Sequence, residues 1–147
     1  MKKLLPIVAA GMGLWVSPAF TDTARDPAAE ILALERSAMD GWLKGDPGPQ
    51  LAITDPEITY FHAVVETRLE GLPEVQALYE RSRGKPLFDS YEILSPKVQV
   101  CGEVAVLTYR LAQHVGTAVT FWNGTEVYRM RKEGWRVIHT HWSKVQQ

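Results

Sequence analysis

Residues 119–145 read VTFWNGTEVYRMRKEGWRVIHTHWSKV. β-Branched and aromatic residues fill this stretch, and it is broken only at Lys132-Glu133-Gly134. Two long extended segments joined by a short glycine-containing turn make an antiparallel hairpin. Working back along the chain, Tyr91 to Val100 and Val104 to His114 read the same way. Their connections, Cys101-Gly102-Glu103 and Val115 to Ala118, are again short and hold a glycine. Four consecutive strands linked like this form an antiparallel meander. Pro96 cannot donate to a ladder, so a bulge or an edge position is expected in the first of them.

The N-terminal half has a different period. Asp26-Pro27 is a helix start, a capping side chain followed by proline at the first helical position. Ile31, Leu34, Ala38 and Trp42 recur at helical spacing, and Gly45 stops the helix. Asp46-Pro47 repeats the start signal and predicts a short second helix to about Thr54. Ile58 to Val65 reads as a strand, with a short one at Thr67 to Leu69. Leu72, Val75, Leu78 and Tyr79 give a third helix to about Arg83. Helices first and a run of strands after is an α+β pattern, with helices on one face of the sheet.

Composition fits one domain. The chain has 147 residues, 46% hydrophobic and 22% charged, with a formal charge of −1. It lacks the basic excess of a nucleic-acid binder and is too apolar for disorder. The single Cys101 excludes an intramolecular disulfide; its place at a strand end between Val100 and Gly102 reads as buried. Met1-Lys2-Lys3, the apolar run Leu4 to Val16 and the exit Ser17-Pro18-Ala19 describe a secretory signal peptide over 1–19. That run is shorter than the roughly 20 residues a membrane span needs. Removal of Lys2 and Lys3 leaves a mature charge of −3. A periplasmic or secreted protein is expected, with a flexible mature N-terminus at 20–27, a folded domain at 28–147 and no membrane attachment.

Several segments, in this order, resemble the nuclear transport factor 2-like superfamily. They are Trp42-Leu43-Lys44-Gly45-Asp46, Asp55-Pro56-Glu57-Ile58-Thr59-Tyr60-Phe61, Leu69-Glu70-Gly71, Ser95 to Glu103 and Val104 to Arg110. Most specific are Trp122-Asn123-Gly124-Thr125-Glu126-Val127-Tyr128-Arg129 and Gly134 to Ser143. Within the superfamily the chain is similar to SnoaL-like proteins and to the association domain of calcium/calmodulin-dependent protein kinase II. The resemblance implies a cone: a strongly curved antiparallel sheet wrapped around a long helix, with a pocket at its open end. It also implies a homodimer or higher homo-oligomer, formed through the outer sheet face.

Side-chain alternation, combined with this resemblance, sorts the candidate residues. Trp122, Glu126, Tyr128 and Met130 share one face of their strand. Glu126 matches a pocket arginine of the kinase domain, which places this face inward. Arg110 matches a second such arginine and Trp142 the third, with Ile138 and Thr140 beside Trp142. An inward Arg110 could meet Glu126, either as a register-holding ion pair or as a ligand clamp beside a proton-moving carboxylate. His62, on the Tyr60 face, has an ordinary pKa suited to acid–base work and is either catalytic or a plain strand histidine.

His139 and His141 are spaced for one metal, but no third ligand is evident. If Trp142 faces in, both point out toward a partner chain, with Trp135 and Val137. Neither metal nor cofactor is therefore expected. Trp42, Tyr60, Tyr79, Trp122, Tyr128 and Trp142 are the expected aromatic surroundings of a small-molecule site, with Arg110 as its charged contact. Aromatics at these spacings also build cores. Two functions stay open: a pocket for a small, partly apolar organic molecule with proton-transfer chemistry at His62 or Glu126, and a non-catalytic assembly domain.

Overall fold

The computed structural model describes residues 26–146. The elements follow in the order α1 (Pro27–Leu43), α2 (Gly48–Ile53), β1 (Thr54–His62), β2 (Leu69–Glu70), α3 (Leu72–Glu80), β3 (Ser90–Cys101), β4 (Val104–Val115), β5 (Ala118–Arg131) and β6 (Gly134–Lys144). The Asp26 carboxylate accepts from Ala28 N–H at 3.0 Å and caps α1. Before α2 the Asp46 carboxylate accepts from Gly48 N–H at 2.9 Å, although the cap residue itself is Pro47, which offers no side-chain bond. The expected signal segment 1–19, and the mature N-terminus up to residue 25, lie outside the described residues.

Several elements differ in their bounds from the sequence reading: β2 covers Leu69–Glu70 instead of Thr67 to Leu69, and β1 ends at His62 instead of Val65. β1 begins at Thr54, directly after α2, because Asp55 and Pro56 take part in an irregular strand entry. α3 ends at Glu80, and the residues up to Gly84 form turns instead of another helical turn.

The strands form one six-stranded sheet in the order β2-β1-β6-β5-β4-β3. The meander β3 to β6 is antiparallel, as its short glycine turns dictate. β1 then joins β6 in parallel, so the sheet is mixed at one pair. Two bulges bend it. One falls between Leu94 and Lys97 on the edge strand β3, where Ser95 adopts φ 49° before Pro96. The second lies in β6: Val127 faces His139 while Tyr128 faces Val137, leaving Ile138 as the extra residue.

The β6 bulge overturns a simple alternation. Trp135 and Val137 are buried before it, and Thr140 is buried after it, with Trp142 half-buried on the same side. Ile138 is half-buried at the bulge and does not extend the Trp142 row. Trp135 and Val137 therefore do not share the outer face with the two histidines.

Ile31, Ala38, Met39 and Trp42 of α1 pack in one cluster with Ile58, Leu107, Leu111 and Val137 from the sheet. The inner face of the sheet thus closes on α1. Cys101 is exposed and free, because it ends an edge strand beside the Gly102-Glu103 turn instead of entering this core.

Candidate functional site

Between α1, α3 and the inner sheet face lies a cavity of about 330 Å³. Alternation delivers its walls. Tyr60 and His62 come from β1, Leu111 and Gln113 from β4, and Trp122 and Glu126 from β5. β6 gives Trp142, while Met39 and Trp42 on α1 and Leu78 and Tyr79 on α3 close the helical side. Val64 and Leu87 also line it and are 69% and 45% exposed, which marks the rim.

The aromatic walls hold one another in place. Trp42 meets Tyr79 edge-on at 5.0 Å between ring centroids, and Tyr79 meets Tyr60 edge-on at 5.7 Å. His62 stacks between Tyr60, at 5.8 Å, and Trp122, at 5.0 Å. Trp142 stands edge-on to Tyr109 at 5.4 Å and lies across Gly124, where any side chain would strike its ring.

Beneath the aromatics is a buried polar cluster. Glu126 is 1% exposed and Glu35, on α1, is 0% exposed. The Tyr128 hydroxyl lies 2.6 Å from Glu126 Oε2 and 3.2 Å from Glu35 Oε2. Tyr109 donates its hydroxyl to Glu35 Oε1, and Thr140 donates to Glu126 Oε1 at 3.2 Å. No ion pair among the described residues involves either carboxyl.

One hydroxyl has a single proton to donate. With two carboxyl oxygens against Tyr128, one contact is favourable only if a carboxyl donates back to the phenol oxygen. The geometry therefore calls for a proton on the pair. Burial and the neighbouring Glu35 carboxyl push Glu126 well above the ordinary carboxylate range. The same surroundings hold Tyr109 and Tyr128 well above the ordinary phenol value, so both remain donors.

Seven of the residues singled out in the sequence meet at this cavity: Trp42, Tyr60, His62, Tyr79, Trp122, Glu126 and Trp142. Two do not. Tyr128 is sealed at 0% exposure and reaches the cavity only through Glu126. Arg110 is exposed on the opposite face of the sheet, its guanidinium 4.2 Å from the centre of the Phe121 ring. It pairs with Asn123, whereas Glu126 pairs with Leu107. Arg110 and Glu126 therefore project from opposite faces and form no ion pair.

Sequence reasoning missed Glu35 and Gln113. Glu35 carried a signal, since it falls on the stripe of Ile31, Ala38 and Trp42 at helical spacing. Gln113 had none beyond its alternation with Leu111.

His139 and His141 do face outward, around the exposed ring of Phe61. His139 Nδ1 is 2.8 Å from the Thr59 hydroxyl. Burial, His141 and Arg68 lower the His139 pKa.

The family profile of the calcium/calmodulin dependent protein kinase II association domain matches residues 27–146. No curated protein matches the chain. Among solved structures, a candidate ketosteroid isomerase from Parabacteroides distasonis is 33% identical. The match covers 86% of this chain and 93% of that one, with a TM-score of 0.73. The CaMKII hub of S. rosetta is 20% identical over 82% of this chain and 98% of its own, with a TM-score of 0.67. A candidate dehydratase of the NTF2-like family from Streptomyces avermitilis is 17% identical over 82% and 96%, with a TM-score of 0.66. The last two show a shared fold. On a match that spans nearly every described residue, the chain belongs to the calcium/calmodulin-dependent protein kinase II association-domain family, built on the nuclear transport factor 2-like fold.

Proposed function

We propose that the cavity binds a small, partly apolar organic molecule and that Glu126 exchanges a proton with it. One observation carries this reading: a carboxyl lining an aromatic cavity, its pKa raised by burial and by a second carboxyl, with no ion-pair partner among the described residues. Purely structural carboxylates usually have a cation or remain in water. Here Glu126 can pass its proton to a carbonyl or hydroxyl oxygen of the ligand. The Glu126 O–H bond breaks and a ligand O–H bond forms. In a ketone the resulting carboxylate then takes a proton from the carbon beside the carbonyl, so that C–H bond breaks, the enol is left and the Glu126 O–H bond is restored. Between the two transfers the charge on the carboxyl pair is met by the Tyr109, Tyr128 and Thr140 hydroxyls. Isomerisation, dehydration and hydrolysis all use such a step. The likeness to a candidate ketosteroid isomerase supports this class.

The test is thermal shift with a panel of flat, uncharged ketones, followed by deuterium incorporation next to the carbonyl. Wild type should be stabilised by a subset and should exchange protons in them; Glu126→Gln should retain binding and lose exchange. If no ketone stabilises wild type and none exchanges, the reading is wrong.

A second reading, homo-oligomerisation, is favoured by the aromatic patch of Phe61, 41% exposed between His139 and His141, and by the family match. Light scattering of wild type and Phe61→Ser tests it: a smaller species for the variant supports an outer-face interface, and an unchanged mass refutes it. The pattern of residues 1–19 supports export to the periplasm or medium.

A further inference from the structure

We infer that the mouth of the cavity is a second polar subsite, formed by His62 and Gln113, that donates hydrogen bonds to an uncharged acceptor oxygen of the ligand. The inference rests on the reading of the cavity above and narrows its ligand to a neutral molecule with acceptor oxygens at both ends.

Two local hydrogen bonds set the chemistry. The Val64 backbone N–H donates to His62 Nδ1 at 3.1 Å. A ring nitrogen that accepts carries no proton, so the neutral ring bears its hydrogen on Nε2. Among the described residues no protein group meets Nε2. Protonating the ring would break the Val64 bond, and burial already lowers the His62 pKa. His62 is therefore a fixed donor and is poorly suited to act as a base.

The second donor is fixed by Trp122. An indole N–H can only donate, and it does so to Gln113 Oε1 at 2.9 Å. The Gln113 amide is thereby oriented, and its NH₂ end is the one left over. Both residues line the cavity. They flank one indole, His62 stacked on its face and Gln113 bonded to its N–H edge.

Among the described residues, no lysine or arginine lines the cavity. A carboxylate ligand would find only neutral donors and would lose its hydration without a counter-charge. An ammonium ligand would face donors at the mouth. A ketone, ester or amide oxygen meets the arrangement without a charge cost.

The probes are naphthalene, its monoacetyl and diacetyl derivatives, and acetyl naphthoate, titrated calorimetrically at neutral pH. The diacetyl compound should bind wild type about three- to tenfold more tightly than the monoacetyl one, the effect of one net hydrogen bond. The naphthoate should bind more weakly than either. The variants are Gln113→Glu, which keeps an acceptor for the Trp122 indole, and His62→Phe, which keeps the stack. The diacetyl advantage over the monoacetyl compound should shrink in each and vanish in the double variant. Urea midpoints check folding, and either single variant suffices if the other does not fold. A diacetyl advantage that is absent in wild type, or that survives both changes, overturns the mouth subsite. So does a naphthoate that binds as well as the diketone. If the monoacetyl compound binds no better than naphthalene, or nothing binds, the reading of the cavity itself fails and this inference falls with it.

Discussion

Glu35 and Glu126 share one hydroxyl. The Tyr128 O–H lies between their carboxyl groups, at 3.2 and 2.6 Å, in a space closed to solvent and free of cations among the described residues. Two carboxyls so placed cannot both ionise cheaply, because burial and mutual repulsion both favour the neutral form.

The first consequence is a pH dependence with a definite sign. The folded Glu126 pKa lies above its ordinary value of 4.5, so its contribution is complete below that value. It is lost as pH rises toward the folded pKa, at roughly 1.4 kcal/mol per pH unit for one proton. Urea unfolding from about pH 5 to about pH 8 should show wild type losing stability. Glu126→Gln should flatten that limb and be the more stable protein at the alkaline end. A wild-type curve that rises over this range would contradict the assignment.

Tyr128→Phe tests the bridge itself. It leaves both carboxyls without their shared partner, and a buried group so abandoned costs about 1–3 kcal/mol. In the Glu126→Gln background the cost should be smaller, since the introduced amide can donate to Glu35 directly. The double-mutant cycle reads the coupling.

Gly124→Ala tests the packing that shapes the cavity. An added Cβ would lie 2.8 and 2.9 Å from the Trp142 ring and 3.3 Å from Tyr109. The indole must move, at about 1–3 kcal/mol. Tryptophan emission and probe affinity should change along with the urea midpoint.

Two arginines should separate sharply. Arg110→Ala removes an exposed cation over Phe121 and should leave stability within about 0.5 kcal/mol and ligand affinity unchanged. Arg131 instead donates to both oxygens of Asp55, at 2.7 and 3.1 Å, and the Asp55 side chain is 1% exposed. Arg131→Ala leaves that buried carboxylate with the Glu57 N–H, which donates to Oδ1 at 2.9 Å, as its remaining hydrogen bond, and should lower the urea midpoint. The Arg131 guanidinium holds Asp55 below its ordinary value of 3.8, so this stability is present above that pH and is lost on acidification. Wild type should therefore weaken at both ends of the scale, and Arg131→Ala should lose the acid limb.

Expressed with its first residues in a host that exports it, the protein should be recovered beginning at Phe20. Intact mass decides, and a mass including residues 1–19 from the periplasmic fraction would refute export processing.

The meander was legible because its turns are short and its strands long, and α1 because its cap and stripe agree. The facing of Arg110 was also written in the chain but was overridden by family correspondence. A hairpin closing at Val115 and Ala118 pairs even-numbered residues of β5 with odd-numbered ones of β4, so Glu126 meets Leu107 and never Arg110. Glu35 was legible as a charge on an apolar stripe. The Ile138 bulge was not, since nothing local to Val137-Ile138-His139 distinguishes an extra residue from a regular one. The parallel β1–β6 pair was not legible either, because it joins segments about eighty residues apart.

That extra residue has a further meaning. If β6 ran straight beyond Val137, its next inward positions would be His139 and His141, and Thr140 and Trp142 would turn out to solvent. The eleven residues of the strand thus encode two alternative linings, one of imidazoles and one of an indole and a hydroxyl. A single irregular step in the backbone selects the indole and hydroxyl lining and leaves the imidazoles on the outside. The chemical character of this interior is decided by spacing along the chain as much as by which side chains the chain contains.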